Sequence, residues 1–102
     1  MGRAGTAGGH ERILRELNDE RAAALLRISR TLEAAIEQLQ VAHDRIGRMG
    51  GGDRAREVAA YRELRQHAVR YRWYLEVQRE ALGLRHHHLL DEFYRIPGSI
   101  DR

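Results

Sequence analysis

The chain has 102 residues, enough for one domain, and its 18 basic residues, all arginine, stand against 15 acidic ones for a net charge of only +3. It has no cysteine, which excludes disulfides, thiolate metal sites, cysteine nucleophiles and dithiol redox motifs. The longest uncharged stretches in the periodic segments, such as 38–43, fall far short of the ~20 apolar residues of a membrane span.

Residues 1–9 are glycine-rich and lack the apolar core of a secretory signal, so they read as a flexible leader and the protein as cytoplasmic. From residue 10 to 48 an apolar stripe recurs at helical steps of three and four: Leu14, Leu17, Ala24, Leu25, Ile28, Leu32, Ala35, Ile36, Leu39, Ala42 and Ile46. Only Arg21 interrupts it, and an arginine stem can lie on apolar surface with its head in water. Residues 11–48 carry seven arginines and seven acids, interspersed as on a solvated helix face. His43 borders this stripe and reads as a buried-edge histidine.

Gly50, Gly51 and Gly52 then break the pattern, because glycine enters left-handed backbone without steric cost. The break predicts a turn over 49–52 with Asp53 as the N-cap of a second helix over 53–95. That segment places Tyr61, Ala68, Leu75, Leu82, Leu89 and Ile96 every seventh position, with Leu64, Tyr71 and Phe93 in the complementary seam. Pro97 disfavours helix at Ile96, and Gly83 weakens the interior by about 1 kcal/mol relative to alanine. A continuous or kinked helix is favoured over a short third helix from Leu84 to Arg95. Residues 97–102 form a tail with little to bury.

The fold class expected is therefore all-α: an antiparallel two-helix hairpin with arms of similar length, over residues 10–96. The second arm is apolar on two faces, because Val69, Trp73, Val77 and Leu84 lie roughly opposite the seven-residue seam. All six aromatics fall in this arm. One face should meet the first arm. The other should meet a second copy, giving a homodimer or higher even oligomer built as a four-helix bundle, with Val69, Trp73, Val77 and Leu84 as its interface. An unidentified protein partner is compatible with the same surface.

Two further readings rank below this. Arg65, Arg70, Arg72 and Arg79, interleaved with aromatics, could hold phosphates and stack bases, although an arginine row beside a seam also looks like an inter-helix salt-bridge row. Folding the arms about Gly51 brings Glu33 towards Glu63 and His67, a carboxylate and histidine set for a metal. In this the chain has a passing similarity to the two-helix ferritin-like proteins that dimerise into a bundle. It departs from their Glu-x-x-His spacing, since its own pattern is Glu63 and His67 at i,i+4. The run His86, His87, His88 cannot aim three rings at one metal, because successive helical residues diverge by ~100°. Ser29 and Ser99, the only serines, have no recognisable base. No enzymatic activity and no cofactor are expected, and the chain reads as a small helical interaction or scaffold module.

Overall fold

A computed structural model describes residues 2–100, with side-chain surroundings from residue 8 onward. Among these residues the protein is all-helical, with α1 over Gly2–Ile46, α2 over Gly52–Ala81 and α3 over His88–Phe93. Residues 2–9, expected as a flexible leader, form the first turns of α1, although the side chains of residues 1–7 lie outside the described residues. The two long helices pack antiparallel as a hairpin in an elongated body of 77 × 22 × 15 Å.

The core follows the two periodic stripes. Leu32, Ile36, Leu39 and Ile46 of α1 meet Val58, Tyr61, Ala68 and Leu75 of α2, all nearly or fully buried. The turn tightens the end of α1, with Gly47 N–H donating to His43 O at 3.1 Å and Met49 N–H to Ile46 O at 3.1 Å. Gly51 supplies the left-handed step, at φ 79°, and itself occupies the N-cap of α2. Asp53 is thus not the cap. It lies in the first turn of α2, where its charge complements the positive helix end without a side-chain capping bond.

The second helix is shorter than its pattern predicts. It stops at Ala81, because Gly83 takes φ 86° and closes a Schellman motif: Leu84 N–H donates to Arg79 O at 2.9 Å and Gly83 N–H to Glu80 O at 2.9 Å. Gly83 is therefore a helix terminator and not a weak interior residue. The seven-residue phase is lost beyond it. Tyr61, Ala68 and Leu75 are buried as expected, but Leu89 is 41% exposed and Phe93 68%, while Leu90 takes the buried place.

The arms are consequently unequal. At 1.5 Å per residue, α1 is about 67 Å long and α2 about 45 Å. Arg21 donates from Nη1 to Ala81 O at 3.4 Å, marking the level where α2 ends. Leu14 and Leu17 lie beyond that level and remain 48% and 43% exposed, so two turns of the α1 stripe have no cover.

After Gly83 the chain reverses and returns along the groove between α1 and α2 as a strap over residues 84–100. Leu90 seals the core, and Tyr94, Ile96 and Ile100 pack against it. Tyr61 donates its phenol to Gly98 O at 2.6 Å, Arg65 Nε donates to Pro97 O at 2.9 Å and Arg62 Nε to Ile100 O at 3.0 Å. The expected tail with little to bury is thus tied down. Ile96 and Ile100 supply the apolar contacts, and the proline and glycine carbonyls supply acceptors.

Candidate functional site

Two surfaces of α2 carry most of the residues that the sequence marks. The first is the arginine row. Arg65, Arg72 and Arg79 recur at i,i+7, so their side chains rise along one flank of α2. The strap lies on that flank. Arg65 holds Pro97 O, Arg72 pairs with the Asp91 carboxylate through Nη2, and Arg79 Nη2 donates to His86 O at 3.1 Å. The Nε atoms of Arg72 and Arg79 are buried without a partner. Three of the four arginines considered for nucleic acid therefore serve as an internal clasp. Arg70 points away from the strap and is exposed.

Across the groove, Tyr94 donates its hydroxyl to Glu33 Oε1 of α1 at 3.2 Å, so the strap is pinned to both long helices. This separates the residues considered for metal. Glu33 belongs to the strap flank. His67 lines the opposite groove with Thr31, Ala34, Leu64 and Tyr71 around a space of about 500 Å³. Among the described residues no group of three or more His, Asp or Glu side chains is placed to hold a metal ion.

The histidine run divides by direction. His87 turns inward, its Nε2 3.1 Å from Glu80 Oε1, while His86 and His88 are exposed. Asp91, the i,i+4 neighbour of His87, is engaged by Arg72 instead. His43 is exposed, contrary to its expected burial, and meets Tyr61 edge-on with ring centroids 5.9 Å apart.

The second surface is the outer face of α2, turned away from α1. Val69, Trp73 and Val77 are 47%, 58% and 40% exposed. Trp73 rests against Tyr74 at 5.5 Å, and Tyr74 against Tyr71 at 5.8 Å, so a row of rings runs from the edge of the core to the outer face. Leu84 stands beyond the Schellman turn, outside the helical register of the other three, and is 45% exposed. Between this face and the strap, Trp73, Val69 and Glu76 border a cleft of about 380 Å³ with Arg95 and Ile96 on its far side. The stripe thus has an apolar centre and a charged rim.

Sequence reasoning found the outer stripe and the arginine row but missed the strap that the row holds. The signals were present: an acid at Asp91, and Ile96 and Ile100 flanking Pro97. Of the two serines, Ser29 is buried on α1 and Ser99 is exposed on the strap. No helix among the described residues is long and apolar enough to cross a membrane. No protein-family model matches this chain, and neither a curated protein nor a solved structure shows significant similarity to it.

Proposed function

We propose that the chain is a helical interaction module that works by associating with copies of itself through the outer face of α2, two hairpins combining into a four-helix bundle. The observation that carries this reading is the exposed stripe of Val69, Trp73 and Val77 on a helix whose other face is already filled by α1 and the strap. Burying such side chains stabilises by roughly 1.5–3 kcal/mol each, and a tryptophan at the centre of an apolar patch is a typical anchor of a protein interface. Scattered exposed apolar residues need no explanation, but three in helical register with stacked rings form a contiguous surface.

Nucleic-acid binding ranks lower, because Arg65, Arg72 and Arg79 already hold the strap. The α2 stripe also offers large apolar anchors where that reading needs free guanidinium groups.

Sedimentation or light scattering across the micromolar range tests the proposal. A dimer is expected, with Val77→Glu shifting it to monomer and Glu92→Gln, on the exposed side of α3, leaving it intact. Trp73 is the single tryptophan, so its emission should shift to shorter wavelength on association. A folded, cooperative monomer throughout that range would sink the reading.

A further inference from the structure

The charges around the outer stripe are not evenly mixed. At ~100° per residue, the α2 residues within about 60° of Trp73 around the helix axis are readily identified. The charged ones among them are Arg62 and Arg70 before Trp73, and Glu76 and Glu80 after it. Val69 and Val77 lie four residues to either side of Trp73. Read in either direction from Trp73, the face presents a charge, then a valine, then a further charge, with arginines on the N-terminal side and glutamates on the C-terminal side.

From this pattern we infer that two copies pair antiparallel along the outer faces of α2, about a two-fold axis passing close to Trp73. The inference rests on the self-association proposed above and adds its direction and register. An isologous contact requires a surface complementary to itself under a two-fold rotation. Reversal about Trp73 brings Val69 of one copy to Val77 of the other. It brings Arg70 of each copy to Glu76 of its mate, and Glu80 opposite Gln66, one helical turn from Arg62. A parallel pairing would instead set arginine against arginine and glutamate against glutamate, which interfaces are arranged to avoid. The apolar centre supplies affinity, and the charges select direction. The strap lies mainly on the flank of Arg65 and Arg72, and it reaches this face only at its two ends, at Arg62 and Glu80. Arg62, which donates to Ile100 O, and Glu80, which meets His87, are engaged by the strap, so Arg70 and Glu76 carry the choice of direction.

The absence of native cysteine makes the direction directly measurable in the full chain. Gln66→Cys and Glu80→Cys variants, opposed in this register and on polar positions of the outer face, are prepared singly and then mixed. Each sample is treated with a bis-maleimide long enough for the ~8–10 Å between packed helix axes. Antiparallel pairing predicts cross-linked dimer in the mixture and little in either variant alone. Cross-linking of single variants to themselves would overturn the direction while leaving self-association standing. A dimer by light scattering with no cross-link in any sample would place the contact elsewhere on the chain and overturn this interface. A monomer at all concentrations would overturn self-association itself. As an independent check, Arg70→Glu should weaken dimerisation about tenfold, because two symmetry-related pairs turn repulsive, and adding Glu76→Arg should restore it. A double variant no better than Arg70→Glu, with helicity unchanged, would contradict the proposed pairing.

Discussion

Tyr61 and Gly98 lie 37 positions apart, yet the phenol of the first donates a 2.6 Å hydrogen bond to the carbonyl of the second. Tyr61 is also one of the most buried residues of the hairpin, so one side chain belongs to the core and to the strap at once. Its burial raises the phenol pKa above the usual value of about 10, partly offset by the nearby Arg65 guanidinium, which lowers it. The fold therefore favours the neutral phenol. The stability this contributes is fully present below about pH 10 and is lost as pH rises through the higher folded-state value.

Tyr61→Phe should accordingly lower stability by about 1 kcal/mol at neutral pH, through loss of the bond to Gly98. It should also flatten the fall in stability above about pH 10. Urea unfolding at neutral and at strongly alkaline pH checks both. Equal alkaline slopes in the two proteins would show that Tyr61 does not carry the effect.

Gly83→Ala should destabilise the protein by about 1 kcal/mol or more, because a Cβ is strained at φ 86° although nothing lies within 4 Å of it. Gly47→Ala is the matched control. Its Cβ would meet only the Asp44 and His43 carbonyl oxygens at 3.5 Å, an ordinary contact, so it should be neutral or slightly stabilising. Thermal melts of the pair are sufficient.

Removing the clasp should release the strap without melting the hairpin. Arg72→Ala takes away the partner of Asp91 from a side chain that is only 24% exposed, and a loss of roughly 1–2 kcal/mol is expected. Asp91→Asn, at a 72% exposed side chain, should cost less than about 1 kcal/mol. Arg70→Ala, on an exposed face of α2, should be close to neutral. Hydrogen exchange should show faster exchange of α3 amides in Arg72→Ala with α1 and α2 protected as before.

The projecting end of α1 should be the most easily cleaved part of the helix. Limited trypsinolysis should cut at Arg12 and Arg15 well before Arg30, because α2 ends at the level of Arg21. Leu14→Glu, at a 48% exposed position, should change chain stability by less than about 0.5 kcal/mol, whereas Leu39→Ala in the closed core should lose roughly 2–5 kcal/mol.

The hairpin was legible because its cause is local and periodic. The α1 stripe from Leu25 to Ile46, the glycine turn and the seam of Tyr61, Ala68 and Leu75 each follow from spacing alone. What escaped depends on a single backbone angle. Leu82, Leu89 and Ile96 continue the seven-residue spacing across Gly83, and nothing in that spacing reveals that the chain turns back there. Once it does, Leu90 faces the core in place of Leu89, and Asp91 reaches Arg72. The arginine row was likewise visible, but its partners are mostly backbone carbonyls, which leave no imprint on side-chain chemistry. Glu33 and His67 stay apart within one chain for a related reason. Folding about the turn brings Glu33 and His67 to the same height on the hairpin, but the strap occupies the flank on which Glu33 lies.

The order in which the strap joins the body has a consequence for how the protein is made. A chain synthesised from its N-terminus completes α1 and α2 before residues 84–100 emerge, and helical segments with neighbouring contacts form quickly. During that interval Arg65, Arg72 and Arg79 have no strap partners to hold, and the seat of Leu90 in the core stands open. The nascent hairpin thus exposes more apolar surface and more guanidinium groups than the finished molecule. Docking residues 84–100 covers that surface and leaves the outer stripe of α2 exposed.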